Sequence, residues 1–242
     1  MSRIIRMKGC KSQKPLLKAT VTKGSDGRRF PRILREYTKE NNPHMVALLE
    51  TRVSESKADR IIERTGYDMS YRVEATGFSS GIWLIWNNSL PDGVVLAAHP
   101  QFVHVSIEWN KPPYHFFVTI VYDHPDRTKR KALWSDLQNI QVAEDSPWLY
   151  WLVIISLLAR NEKKRGANRC KGCKHFLEIM DNFNLVDLGF KGSQYTWNRA
   201  GIFERLDRII ANNQWNDFAP HYSVQHLYRI KLDHRPILLL PA

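Results

Sequence analysis

Residues Phe30 to Glu50 read FPRILREYTKENNPHMVALLE, and the change of rhythm inside them decides the fold. Phe30, Ile33, Leu34 and Tyr37 recur at helical spacing. Asn41-Asn42-Pro43 stops that pattern, because a residue preceding proline is pushed out of the helical region. Met45-Val-Ala-Leu-Leu49 then runs apolar without alternation, which predicts a short strand covered on both faces. It ends on a carboxylate, Glu50. A helix leading into a doubly covered strand is the unit of a layered α/β domain.

The alternation continues outward. Ser54 is placed to cap a second helix carrying Ala58, Ile61 and Ile62, with Gly66 ending it. Strand patterns follow at Tyr71–Glu74, Gly81–Trp86, Val94–Ala98, Phe102–Trp109 and His115–Tyr122. In the fourth, Val103, Val105 and Ile107 oppose Phe102, His104, Ser106 and Glu108, so one face is wet or lies against a second layer. A basic helix is predicted over Asp126–Val142, an apolar strand from Trp148, and an amphipathic helix over 172–183 striped by Phe176, Ile179, Met180 and Phe183. Turns at Gly189, Gly192 and Gly201 break up the last third, which closes on a strand at Ile237–Leu240. There is no internal repeat. The expectation is an α/β or α+β layered domain over residues 29–242. Residues 1–28, crowded with Lys and Arg around one acidic residue, Asp26, read as a poorly ordered basic arm or a degenerate first strand.

Of 242 residues, 43 % are apolar and 11 % aromatic, enough to fill a core. Lys and Arg number 36 against 24 Asp and Glu, and the resulting charge of +12 points to a polyanion, with nucleic acid first among candidates. The longest apolar run, Trp148–Ala159, is too short to cross a bilayer, and no secretory segment opens the chain. An intracellular protein, nuclear or cytoplasmic and taken as a monomer, is expected. Three cysteines (10, 170 and 173) make no disulfide framework. Cys170-x-x-Cys173 has only Cys10 and His175 as conceivable further ligands, a weak signal for zinc.

Polar groups end several of the predicted strands: Glu50, Tyr122, Asp207 and the pair Asp233–His234. A packed scaffold fixes side chains there while loops admit substrate. Each has a structural alternative. Glu50 can cap a helix, Tyr122 can edge the core, Asp207 can pair with Arg205 or Arg208 at the surface, and His234 can be a hydrogen-bonded residue at a strand start beside Pro236.

In order, Ala47-Leu-Leu-Glu-Thr51, Val121-Tyr-Asp-His-Pro125, Tyr195-Thr-Trp197, Glu204-Arg-Leu-Asp-Arg208 and Leu232-Asp-His-Arg-Pro236 resemble the motifs of the endonuclease/exonuclease/phosphatase superfamily. The likeness is greatest to the endonuclease-like domain of plant non-LTR retrotransposon polyproteins and spans roughly residues 29–240. The resemblance implies a four-layered sandwich, two mixed sheets face to face with helices outside, and an active site at one sheet edge. It also implies hydrolysis of a phosphodiester, usually in DNA, with Mg²⁺ or Mn²⁺. Carried over, Glu50 would hold the metal with Asp233 beside it, His234 would meet the scissile phosphate or attacking water, Asp207 would orient His234, and Tyr122 would donate to the phosphate. Trp197 would pack near the site. Arg127, Lys129, Arg130 and Lys131, with Lys163, Lys164 and Arg165, are candidates for phosphate contacts or form a solvated face.

The departures are as informative. After Pro-Trp-Leu the family pattern calls for Gly-Asp-x-Asn, whose Asp activates water and whose Asn holds the phosphate. Val153 and Ile155 stand at those two positions. A first strand ending in Trp-Asn-x-Arg-Gly is also expected, and its nearest string, Arg6-Met-Lys-Gly9, has no Asn. Leu232 stands where Ser is usual. Aliphatic side chains neither accept a proton nor donate to a phosphate oxygen. The expectation is therefore a nuclease-type domain of retrotransposon origin with hydrolysis severely impaired or absent. The alternatives are a non-catalytic nucleic-acid-binding module and an active nuclease using Asp123 or His124 as base.

Overall fold

The computed structural model describes residues 16–20, 30–75, 81–88, 93–109, 114–154, 158–166, 174–229 and 233–240, with 16–20, 109 and 114 described by backbone alone. In chain order the first third holds β1 (Leu16–Thr20), α1 (Phe30–Asn41), β2 (Met45–Leu49), α2 (Glu55–Glu63), β3 (Met69–Val73), β4 (Ile82–Trp86) and β5 (Val94–His99). Then come β6 (Phe102–Trp109), β7 (Tyr114–Tyr122), α3 (Arg127–Gln138), β8 (Trp148–Val153), β9 (Lys163–Lys164) and α4 (Lys174–Asn182). The last part holds β10 (Val186–Asp187), β11 (Lys191–Gly192), β12 (Trp197–Arg199), β13 (Ile202–Glu204), β14 (Asp207–Ala211), α5 (Asn213–Phe218), β15 (Ser223–His226) and β16 (Ile237–Leu240).

Two sheets result. One runs β11-β15-β16-β1-β2-β4-β3 and the other β10-β14-β8-β7-β6-β5, with a small third sheet of β12, β13 and β9. Both large sheets are mixed: β1 pairs parallel to β2 and antiparallel to β16, and β7 pairs parallel to β8 while β8 pairs antiparallel to β14. Alternate side chains on each strand go to opposite faces. Met45, Ala47 and Leu49 of β2, Ile82 and Leu84 of β4, Val118 and Ile120 of β7, and Leu149 and Trp151 of β8 therefore share one core between the sheets. The opposite parity, Val46 and Leu48 with Trp83 and Ile85, meets α1 and α2. Tyr150, Leu152 and Ile210 meet α3 and α4 on the other side. The layers are helix, sheet, sheet, helix, as expected, and the continuous apolar runs at β2 and β8 are the mark of strands covered twice.

Local differences have physical reasons. Ser54 precedes α2 in extended conformation, but its hydroxyl is turned to the Ala75 carbonyl (3.3 Å) and does not cap the helix. The helix ends at Glu63, three residues before Gly66. Asp126 caps α3 instead of starting it, accepting from the Thr128 and Lys129 amides at 2.8 and 3.4 Å, and α3 stops at Gln138, short of Val142. A strand, β1, lies within residues 1–28, placed in the sheet order between β2 and β16. Arg6–Gly9 and Cys10, Cys170 and Cys173 fall outside the described residues. No helix among the described residues is long and apolar enough to cross a membrane.

Candidate active site

The register of three neighbouring strands sets the site. Tyr122 pairs with Val153 across β7 and β8, and Val153 pairs with Asp207 across β8 and β14. Residues in register carry side chains to the same face, here the face between the sheets, where Ile120, Trp151 and Ile209 also point. Tyr122, Val153 and Asp207 thus form a row at one end of the second sheet, all buried (1–2 % exposed). The row lies on central strands, at strand ends.

The facing sheet contributes the rest. β16 runs antiparallel to β1, and β1 parallel to β2, so the residues before β16 and those after β2 emerge at the same end. These are Asp233–His234 and Glu50. His234 places Nδ1 2.6 Å from the Asp207 Oδ2, with both groups buried. Burial pushes the His234 imidazole toward neutrality, but the Asp207 carboxylate, with Glu50 and Asp233 adding, outweighs it and raises its pKa. Asp207 is thus neither a surface ion pair nor engaged with its sequence neighbours. Arg205 and Arg208 turn to the Glu162 and Asp187 carboxylates instead.

Glu50 and Arg52 both hold left-handed backbone, φ 56 and 53, where non-glycine residues are uncommon. The turn takes the chain off the strand parity and sets the Arg52 guanidinium 3.3 Å from the Glu50 carboxylate. Gly81, φ 94, closes the turn from the side: its carbonyl accepts from the Thr51 amide, and a Cβ there would lie 2.5 Å from the Thr51 hydroxyl. Burial pushes the Glu50 carboxyl up. His234 and Arg52 pull it down without cancelling that effect, and the Asp233 and Asp207 charges add to it. The Tyr122 phenol is held well above its ordinary value by burial, with Glu50 adding, and so keeps its proton as a donor.

Asp233 Oδ1 is buried without a hydrogen-bond partner. With Glu50 it supplies two carboxylates that sense each other electrostatically. Hard oxygen donors of that number suit a small divalent ion that keeps most of its waters. Among the described residues no three His, Cys, Asp or Glu converge as a closed metal cluster.

Two residues escaped the sequence reading. Arg52 balances Glu50, and a cation two positions after a strand-end carboxylate is a legible signal. Thr196 is not legible: its buried hydroxyl accepts from the Leu206 and Asp207 amides at 3.0 and 2.9 Å and so holds the start of β14. Trp197, half-buried, bridges backbone to backbone with His234, next to the Arg235 amide on the Thr196 carbonyl (2.7 Å).

The proposed phosphate contacts divide. Arg127, Lys129 and Lys131 are exposed on α3, and Lys164 at the end of β9 and Arg165 after it are exposed. Arg130 is not a free contact, since it donates to the His124 and Pro125 carbonyls at 3.0 and 2.7 Å and sits 3.7 Å from Asp123. Lys163 is also taken, 2.5 Å from Glu204. Of the alternative bases, Asp123 is fully buried beside Arg130, and His124 accepts from the Asp126 amide (2.9 Å) with its ring edge-on to Tyr122. Val153 is fixed in the central row, whereas Ile155 lies outside the described residues.

No family model matches the chain, and no curated protein matches it. Solved structures do. The endonuclease domain of TRAS1, a telomere-specific non-LTR retrotransposon, superposes with a TM-score of 0.70 at 12 % identity, over 95 % of this chain and 98 % of that one. An AP endonuclease from Leishmania major gives 0.68 at 14 % identity (95 % and 88 %), and one from Archaeoglobus fulgidus gives 0.66 at 15 % (94 % and 99 %). With two mixed sheets face to face and Glu50, Tyr122, Asp207 and His234 gathered at one end of them, the chain has the fold of the endonuclease/exonuclease/phosphatase superfamily.

Proposed function

We propose that the chain is a phosphodiesterase-type domain of retrotransposon origin, shaped to act on DNA, in which hydrolysis is severely impaired. The observation that carries this is the row Tyr122–Val153–Asp207: an aliphatic side chain stands between a phenol and the carboxylate that holds His234. The similar structures, a retrotransposon endonuclease domain and two AP endonucleases, support DNA as the substrate class.

In this reading Glu50, with Asp233 beside it, would hold Mg²⁺ or Mn²⁺, which polarises a phosphate oxygen and steadies the leaving oxygen. Asp207 keeps His234 charged and fixed, so that its Nε2 proton faces the phosphate. Tyr122 donates a second hydrogen bond. No group at Val153 takes the proton from water. Removing a general base lowers the rate by roughly 10²–10⁴-fold, and removing one transition-state donor, the role assigned to the position of Ile155, by a further 10²–10³-fold or so. Because the groups act together, the two losses do not simply multiply.

A second reading, a non-catalytic DNA-binding module, is favoured by the charge of +12 and the exposed cations on α3, which are independent of the catalytic row. The two are separated by incubating supercoiled plasmid with Mg²⁺ or Mn²⁺ beside the His234→Ala protein. Weak nicking by wild type that His234→Ala abolishes supports impairment, and no difference between the two proteins supports the binding module. Efficient nicking by wild type that His234→Ala abolishes overturns it and returns attention to His124.

A further inference from the structure

One buried residue outside the catalytic row is bonded to the chain on both sides of the Asp207–His234 pair. Thr196, 1 % exposed, directly precedes β12. Its hydroxyl accepts from the Leu206 amide at 3.0 Å and from the Asp207 amide at 2.9 Å. Its own amide donates to the Glu204 carbonyl at 3.1 Å, and its carbonyl accepts from the Arg235 amide at 2.7 Å. A single residue thus ties together the end of β13, the first residue of β14 and the residue that follows His234.

The tie falls where the sheet offers none. β10 pairs with β14 only at Ile210 and Ala211, so on that side the start of β14 has no strand partner. Yet Asp207 must be held closely, because its carboxylate meets His234 Nδ1 at 2.6 Å, a short bond that a small displacement of either backbone would lengthen and weaken. The Thr196 hydroxyl fixes one side of the pair at the Asp207 amide. The other side is fixed by the Trp197 bridge to His234 and by the Arg235 amide on Thr196. Both fixings run through consecutive residues, so the separation of carboxylate and imidazole is set by one element.

The chemistry of this position calls for a hydroxyl. Its oxygen has two lone pairs, and two buried N–H groups meet them. Valine has the same branched shape but accepts from neither amide, leaving both buried and unpaired. Serine keeps the acceptor. We propose that Thr196 is a positioning residue of the candidate site, acting through Asp207 to hold the carboxylate in line with His234 Nδ1. The proposal deepens the function proposed above and rests on its reading of His234 as a site residue.

The test is proton NMR of the full, nitrogen-15-labelled chain without DNA or metal, each variant being checked for folding by thermal melting. Wild type should show the proton between His234 Nδ1 and Asp207 as a low-field resonance, assigned by its absence from His234→Gln. That resonance should disappear or move upfield in Thr196→Val and stay in place in Thr196→Ser, and the Asp207 amide should exchange at least about tenfold faster in Thr196→Val than in wild type. An unmoved resonance in folded Thr196→Val overturns the proposal, as does its loss from folded Thr196→Ser or its absence from wild type. If Thr196→Val does not fold, amide exchange in wild type decides: protection of the Asp207 amide equal to that of Ile209 supports the tie, and free exchange at Asp207 overturns it. Since no reading uses DNA, these outcomes leave plasmid nicking to judge the proposed function separately.

Discussion

At the scale of single residues, the proposed function rests on one buried ionisable pair, Asp207–His234, set beside an aliphatic residue, Val153. The Asp207–His234 pair is buried and short, and the carboxylate raises the imidazole's pKa. A group raised in the folded state stabilises it fully below its unfolded pKa of about 6.5, and that contribution fades as pH climbs through the folded value. Asp207→Asn should lower the His234 pKa seen by NMR titration and leave His104 unmoved. An unshifted His234 resonance would show that the pair is not coupled. His104 tests the opposite sign. Packed between Phe117 and Trp148 and bonded to the Thr119 hydroxyl at 2.9 Å, it is pushed down to about 4 by burial. It stabilises the fold while neutral, so about 3 kcal/mol should be lost as pH falls from 6.5 toward 4. Denaturant titrations across that window should show the slope in wild type and a shallower one in His104→Leu.

At the scale of elements, the sequence was most legible where both faces of a segment are covered or where periodicity is strict. α1 and β2 ended where Pro43 and Glu50 said they should, and Phe102–Trp109 and Ile237–Leu240 were read residue for residue. Short pairings were not legible. β9, β10 and β11 are two residues each and exist only through partners far along the chain, so no local pattern announces them. The same holds for the ionic node that fixes their surroundings. Arg208, fully buried on β14, takes Glu162 at 3.0 Å through both terminal nitrogens and Asp187 at 3.2 Å, while Arg205 takes Asp187 at 2.7 Å. Burial alone would raise the Glu162 carboxyl; the Arg208 fork and the Leu158 and Ala159 amides outweigh it and lower it. Breaking a buried pair from one side leaves a charge uncompensated, so Glu162→Gln should destabilise by about 3–5 kcal/mol in urea unfolding. A change under about 1 kcal/mol would mean that the node contributes little beyond an exposed pair. Its stabilisation is present above the ordinary carboxyl range and is lost as pH falls through the lowered value.

At the scale of the whole molecule, fold and reaction have separate requirements. The ordered motifs pointed to the fold, but only the register showed that Val153 sits between Tyr122 and Asp207, because β14 and β8 are joined over more than fifty residues of chain. A valine there suits the core between the sheets, since an unpartnered polar side chain is costly to bury, so the fold does not depend on catalysis being kept. The charge is likewise independent of the row. Binding to DNA should weaken steeply with salt, with a log–log slope of several units, in wild type and His234→Ala alike. A flat salt response would argue that phosphates are not what the cations meet. The central claim is that Val153, with Ile155, disables an otherwise preserved site. It is tested most directly by plasmid nicking with the double variant Val153→Asp, Ile155→Asn in Mg²⁺ or Mn²⁺. The account predicts that the double variant nicks, that wild type does not, and that His234→Ala in the restored background silences it again. A folded double variant that stays silent, or one whose nicking persists without His234, would contradict it.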